Sequence, residues 1–323
     1  MISNLKKNKI DLFQLKSLND LENVEQHFDK FLKKLFKNKN KYFTKNNTCA
    51  CGQKKIKKKK KLNFFVYNKC ECGTYFINPM PTSETLKLIY SEKGPYSLYR
   101  KKFFENKSKK NIRNGKVNYR KAFQLLTFIK DKKKSKILDF GCGDGDFLKI
   151  CKKFGFKNLI GIDPKYQKKQ NIDKILFLNS LEQLNKSMKF DCVTLWGVLE
   201  HVKDPFSLIK KILSFLNHNG FIVMETPNAN SLLMNHIIEN EKREKPIRFI
   251  EPGRHLFFFS KYFFSLLANK FKMDIVDFET NGLDLQTIIG PTNNNMTHKL
   301  LKLQESIDSM NISDHLRIVL KKK

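Results

Sequence analysis

The chain has 323 residues, 40% hydrophobic, 29% charged and 12% aromatic, which is enough apolar material to bury a large core and too much for overall disorder. Lys+Arg number 63 against 31 Asp+Glu, a net charge of +32; lysine supplies nearly all of it, so the excess favours anionic partners without the arginine-rich signature of nucleic-acid recognition. No apolar run approaches the roughly 20 residues of a membrane-spanning helix. The opening MISNLKKNKIDLF lacks the apolar stretch of an export signal, and with seven cysteines that points to a reducing, cytoplasmic setting.

From Asp11 to about Lys37, Leu12, Leu15, Leu18, Leu21, Val24, Phe28, Phe31, Leu32 and Leu35 recur at helical spacing. They predict one amphipathic helix packed on the main body or on a partner subunit. Next come two similar units, Cys49-Ala50-Cys51-Gly52 and Cys70-Glu71-Cys72-Gly73, with the run Lys57 to Lys61 between them. Two cysteine pairs, each followed by a turn glycine, suggest a tetrahedral structural zinc site of net charge about −2 that the lysines offset. Both pairs are one residue shorter than the usual C-x-x-C. A helical, tyrosine-rich stretch then runs to about Lys130 and holds Tyr90, Tyr96 and Tyr99.

From Lys136 strands and helices alternate. Short apolar segments predict strands at Ile137–Phe140, Leu159–Asp163, Ile175–Leu178, Asp191–Trp196, Phe221–Thr226 and Asp274–Glu279. Helices are predicted at Asp146–Phe154, Lys165–Ile172, Asp204–Leu216 and Ser260–Phe271, the third opened by Asp204-Pro205 and followed by Gly220. The alternation implies an α/β fold with a doubly wound, mostly parallel sheet. The chain divides into residues 1–44 (amphipathic helix), 45–82 (cysteine ribbon), 83–130 (helical lid or linker) and 131–323 (α/β domain).

ILDFGCGDGDFL, from Ile137 to Leu148, reads as a buried strand, a glycine turn and a helix start. Gly141, Gly143 and Gly145 permit positive φ and close backbone approach, and the helix N-terminus favours a carboxylate. Asp163 ends the next strand, where an acid can accept both hydroxyls of a ribose. These features mark an adenosine cofactor. Asp139, on the strand before the turn, suits a cationic amino group better than a pyrophosphate, as in S-adenosylmethionine.

ILDFGCGDGDFL, GIDP, FDCVTLWGVLEHVKDPFSLIKKI, GFIVMETPNANSL and GRHLFFFS occur in this order between about Lys136 and Met273. In this the chain resembles class I S-adenosylmethionine-dependent methyltransferases of the ubiquinone-methyltransferase-like group. The resemblance implies that Asp139, Gly141, Gly143 and Gly145 surround the methionine part of the cofactor, that Asp163 holds the ribose, that Ser180 and Leu181 flank the adenine, and that Trp196 sits beside the cofactor. It also implies an acceptor-side loop at Met224-Glu225-Thr226-Pro227-Asn228, a lid formed by the tyrosine stretch, and a zinc ribbon like that of sugar and natural-product methyltransferases.

Methyl transfer to a hydroxyl requires alignment and a base. His201, after the fourth strand, is the base candidate; His255 is a second, as a substrate-loop or structural residue, and Glu225 is a further polar contact or a solvent-exposed strand-end acid. Some ubiquinone-pathway relatives bind a divalent cation through an acid three places before the Glu-His pair, but here that place is Gly197, which argues against metal assistance. The expectation is O-methylation of a small-molecule or glycan acceptor (a sugar, nucleotide sugar or polysaccharide), with nucleic acid disfavoured as a partner. An RNA methyltransferase and a non-catalytic cofactor-binding scaffold are the alternatives.

Overall fold

The computed structural model describes residues 10–239 and 247–323; residues 1–9, where the reading of the chain's opening largely falls, lie outside them. The N-terminal amphipathic stretch is two helices, Leu12–Leu15 and Leu18–Phe36, not one. The break falls at Ser17, whose hydroxyl accepts from the Asp20 amide and caps the longer helix. That helix buries Leu21, Val24, Phe28, Leu32 and Leu35, the apolar stripe of the sequence.

A two-stranded pair, β1 (Phe43–Thr44) and β5 (Met80–Pro81), brackets the cysteine segment, which holds β2 (Ile56–Leu62), β3 (Phe65–Cys70) and β4 (Tyr75–Asn78). β2 carries the lysine run and is the outer strand of a four-stranded sheet; lysines on a sheet edge discourage pairing with other chains. Helices at Ser83–Tyr90, Pro95–Phe103, Lys107–Arg113 and Tyr119–Phe128 make up the tyrosine-rich stretch.

The main sheet comprises β6 (Lys136–Phe140), β7 (Asn158–Ile162), β8 (Gln170–Ile172), β9 (Ile175–Leu178), β10 (Phe190–Trp196), β11 (Leu216–Pro227), β13 (Met273–Asn281) and β14 (His315–Lys322). Its order is β13-β14-β11-β10-β6-β7-β9-β8, with the five strands from β11 to β9 parallel to one another. Order runs outward in both directions from β6, so the fold is a Rossmann-like doubly wound α/β sheet whose switch point lies between β6 and β10, where ligands of open sheets bind. Helix Pro205–Ser214 starts as expected, with Asp204 accepting from the Ser207 amide.

Two further expectations fail, and one strand was not foreseen. Residues 165–172 form no helix: the segment KYQKKQNI has no apolar stripe to bury, and it ends in the exposed edge strand β8. Gly220 lies inside β11, in a stretch that bulges out of register between Leu216 and Phe221. β14, absent from the sequence reading, inserts antiparallel between β11 and β13 and buries Leu316, Ile318, Val319 and Leu320.

β12 (Phe257–Phe258) pairs with β4 and completes the cysteine ribbon's sheet. The ribbon is thereby bonded to the chain immediately after Gly253-Arg254-His255.

Candidate active site

At the carboxyl end of β6 the chain turns sharply, and the amides of Gly141 and Cys142 both donate to the Ile162 carbonyl at 2.7 and 3.0 Å. Gly141, Gly143 and Gly145 have φ of +77°, +53° and +70°, a region costly for residues with a Cβ. A Cβ at Gly141 would lie 2.4 Å from Val198 Cγ2, and one at Gly145 2.5 Å from the Phe177 ring. At Gly143 it would meet nothing within 4 Å. Two glycines are thus required by packing, whereas the third faces open space: a backbone cradle that fits a bound group. Asp163, just beyond β7, accepts from the Gly143 amide at 3.0 Å and the Lys165 amide at 3.1 Å. Asp139 is buried and accepts from Thr194 Oγ1 at 2.7 Å. Burial pushes its pKa up to about 7, against the Thr194 hydrogen bond and the Lys121 charge. Ser180 and the buried Leu181 follow β9 beside Asp163, whose amide donates to the Leu178 carbonyl at 3.0 Å.

Trp196 ends β10. Its ring packs on Phe147 at 5.3 Å and lies under two cations, Lys121 (4.5 Å) and Arg317 (5.4 Å), and its buried Nε1 has no hydrogen-bond partner. Glu225 is neither in a loop nor in solvent: it lies within β11, opposite Trp196 in register. Its carboxylate bonds Lys121 at 2.8 Å and Arg317 Nε at 3.1 Å. Burial alone would raise its pKa, but Lys121 and Arg317 hold it well below the carboxylate range. So Glu225 is committed to two cations, and the alternative of a strand-end acid in solvent is corrected. Lys121 and Arg317 themselves escaped the sequence reading, because one is a single lysine among the many of this chain, with no motif around it, and the other lies on the unforeseen β14.

His201 closes a helical turn, Leu199–His201, just past β10. Its Nδ1 is 2.9 Å from the Arg254 carbonyl, so Nδ1–H donates and Nε2 keeps its lone pair. Burial first, then His255 and Arg254, press its pKa well below the usual value, and the imidazole is neutral. His255 stands beside it, ring centroids 4.9 Å apart, with Nε2 3.4 Å from Glu251 Oε2 and Nδ1 unpartnered. Glu200 Oε1 lies 3.8 Å from His201 Nε2, and its buried Oε2 has no partner.

The three tyrosines converge on one residue that the sequence reading passed over. The Arg254 guanidinium carbon lies 4.3 Å from the Tyr96 ring centroid, 4.9 Å from Tyr99 and 5.9 Å from Tyr90. Arg254 is buried and paired with Glu251 at 2.7 Å. Tyr90 also reaches the His201 ring at 6.1 Å, and Tyr99 accepts from Lys16 Nζ at 2.8 Å. The GRH phrase was the available signal for Arg254.

The shortened cysteine pairs still bring four sulfurs together. Cys49 and Cys72 Sγ are 3.7 Å apart, Cys51 and Cys70 Sγ 3.6 Å, and all four lie within 4.8 Å of one another. A zinc ion with 2.3 Å bonds to four thiolates sets sulfurs about 3.8 Å apart, so the set fits. Gly52 and Gly73, at φ +88° and +83°, donate to the Cys49 and Cys70 carbonyls at 2.9 Å and close each knuckle. No helix among the described residues is long and apolar enough to cross a membrane.

Residues 113–276 match a family described as a methyltransferase domain. A tRNA U34 carboxymethyltransferase of Campylobacter hominis is 31% identical over 32% of this chain and 40% of its own length. A ubiquinone biosynthesis O-methyltransferase of Pelagibacter ubique is 29% identical over 45% of this chain and 62% of its own length. The chain thus spans between 40 and 62% of these two curated relatives. A crystal structure of a SAM-dependent methyltransferase from Archaeoglobus fulgidus aligns at a TM-score of 0.46 and 22% identity, covering 70% of this chain and 99% of that one.

Proposed function

We propose, from the premise that the chain belongs to the methyltransferase-domain family, that it transfers a methyl group from S-adenosylmethionine to an oxygen of a small or glycan-linked acceptor such as a sugar or nucleotide sugar. The observation that carries this reading is the pairing of two features across the β6/β10 switch point: the open cradle at Gly143 and the neutral His201, its Nδ1 fixed by the Arg254 carbonyl and its Nε2 lone pair free.

The cofactor supplies, when bound, a methyl already activated on a sulfonium sulfur. The Gly141–Gly145 backbone and Asp139 would hold its amino-acid end, Asp163 its ribose, and Ser180 and Leu181 its adenine. Asp163 does two things at once, because its carboxylate also fixes the Gly143 amide. His201 would take the proton of the acceptor hydroxyl at Nε2, since a neutral imidazole oriented by a carbonyl is suited to that transfer. Tyr90, Tyr96 and Tyr99, fastened to Arg254, would cover the acceptor and exclude water. Glu225 keeps Trp196 and the sheet end rigid through Lys121 and Arg317. Zinc in the cysteine ribbon would be structural, since four protein ligands leave no open position; through β4 and β12 it would brace the loop that carries His255.

The test is methyl-labelled cofactor offered to fractionated metabolites, glycans and RNA. Label in a small-molecule or glycan fraction, lost in His201→Ala, is expected. The second reading, an RNA acceptor, draws on the +32 charge; tight RNA binding with a steep salt slope would favour it. No label in any fraction, with the cofactor still bound, would leave the scaffold reading.

A further inference from the structure

We infer that the cysteine ribbon positions His201, so that metal loading of the ribbon governs the acceptor side of the site and leaves the cofactor side alone. The role of His201 in this rests on the methyl-transfer reading, whereas the coupling is a property of the fold. The connection is a run of backbone hydrogen bonds that passes through one residue. Leu256 gives its N–H to the Glu200 carbonyl at 2.8 Å, and its own carbonyl accepts from the Ile77 amide of β4 at 3.1 Å. Ile77 stands opposite Tyr67 of β3 in register, and β3 ends in Cys70. Two residues before Leu256, the Arg254 carbonyl accepts from His201 Nδ1 at 2.9 Å. Residues 254–256 thus fix both the backbone of the Leu199–His201 turn and the direction of the imidazole ring.

That segment lies in turns and rests on the ribbon on both sides of Leu256. Gly253 has φ of +82°, and a Cβ there would lie 3.2 Å from Phe65 Cζ and 3.3 Å from Leu32 Cδ2. Its backbone therefore sits directly on the ring that β3 contributes to the core. The His255 ring meets Phe258 of β12 edge-on at 5.5 Å, and Phe258 meets Tyr67 at 6.2 Å. Farther along, Ser260 caps the helix Lys261–Phe271, donates its hydroxyl to the Cys72 carbonyl, and gives its amide to Thr74 Oγ1 at 3.3 Å. A Cβ at Gly73 would lie 3.1 Å from Ser260 Cβ, so the knuckle after Cys72 closes tightly on that serine. A metal held by four thiolates adds its binding free energy to the folding of such a small module. Without it the ribbon and the segment laid on it open together, as one cooperative unit. The glycine turn of the cofactor side is held from elsewhere, by the Ile162 carbonyl and by Asp163.

The experiment compares full-length protein loaded with zinc, the same protein stripped with chelator, and zinc-loaded Tyr67→Ala, which empties a fully buried site of β3 without touching a thiol. Amide exchange is followed by mass spectrometry, and the His201 ring by nitrogen-15 NMR, assigned with His201→Gln. Stripping and Tyr67→Ala should each speed exchange in residues 65–78 and, with them, in residues 199–202, by roughly tenfold or more. The single Nδ1–H tautomer of His201 should give way to a mixture of both tautomers. Exchange in residues 137–148 and the affinity for S-adenosylhomocysteine should stay within a factor of about two. A loosened ribbon with residues 199–202 and the tautomer unchanged overturns the coupling. A ribbon that stripping does not loosen overturns the control by metal, and equal loosening of residues 137–148 overturns the division between the two sides. Zinc-loaded wild type that binds no S-adenosylhomocysteine would overturn the methyl-transfer reading and leave the exchange rates to decide this one.

Discussion

The two sides of the proposed site, one for the cofactor and one for the acceptor, are built differently. Apart from Trp196, the proposed cofactor wall comes from one continuous run of chain, from Asp139 to Leu181, and its carboxylates are already bonded: Asp139 to Thr194, Asp163 to the Gly143 amide. The acceptor wall gathers Tyr90, Tyr96 and Tyr99, then Glu200 and His201, then Glu251, Arg254 and His255, from three separated stretches, and it buries Glu200 Oε2 and His255 Nδ1 unpaired. A wall whose shape is fixed by its own hydrogen bonds can present the same surface to a cofactor every time. A wall that leaves buried donors and acceptors open holds that cost in readiness for a ligand, and on the proposed reading specificity resides there.

The largest effect expected from breaking this contrast lies on the acceptor wall. His201→Ala should lower kcat by roughly 10²–10⁴-fold while the affinity for S-adenosylhomocysteine stays within a factor of about two; a comparable loss of that affinity would mean that the walls are not separable. Next comes the support beneath both walls. Glu225→Gln leaves Lys121 buried without its counter-charge and Arg317 with Glu279 alone, and should cost about 3–5 kcal/mol in urea denaturation at neutral pH. The sign of the pH dependence follows from the depressed pKa of Glu225: its stabilisation is complete above the unfolded carboxylate value and is lost as pH falls through the folded one. The gap between wild type and variant should therefore close only in strong acid.

On the cofactor wall, Asp163→Ala removes charged hydrogen bonds worth about 1.5–3 kcal/mol, which is roughly a 10- to 150-fold weaker binding of S-adenosylhomocysteine by calorimetry. kcat at saturating cofactor should change far less, and a fall as large as that of His201→Ala would refute the division of labour.

The same contrast explains what could be read from the sequence. β6, β7, β9 and β10 are short apolar runs because both their faces are covered, and the glycine turn is local, so these strands and the turn that meets Asp163 were legible. The acceptor wall was legible only as residue types. His201 and His255 could be suspected, but that Arg254 ties the tyrosines to the His201 turn depends on contacts spanning more than 150 residues of chain. β14 escaped notice because HLRIVLKKK follows a long polar helix with no glycine turn to announce it, and with it went Arg317 and the true setting of Glu225. The N-terminal stripe of leucines ran through Ser17 without interruption; a cap, not a change in hydrophobic period, divides it. The short cysteine pairs were a departure only in sequence spacing, since the knuckle glycines bring the sulfurs to chelating distance.

The smallest effect is the most direct probe of the cofactor wall's charge. Burial raises Asp139 to about 7, so below that pH the free protein carries it protonated. A carboxylic acid whose folded pKa lies above its unfolded one stabilises the fold at low pH, and that contribution fades as pH rises toward 7. A ligand ammonium prefers the carboxylate, so binding must expel the proton whenever it is present. Affinity for S-adenosylhomocysteine should weaken by up to about tenfold per pH unit below about 7 and level off above it, and calorimetry near pH 6 in buffers of different ionisation enthalpy should record about one proton released. Asp139→Asn should flatten the profile. A flat profile in the wild type would mean that the ammonium is held elsewhere, and that Asp139 is part of the sheet's interior hydrogen bonding with Thr194 and nothing more.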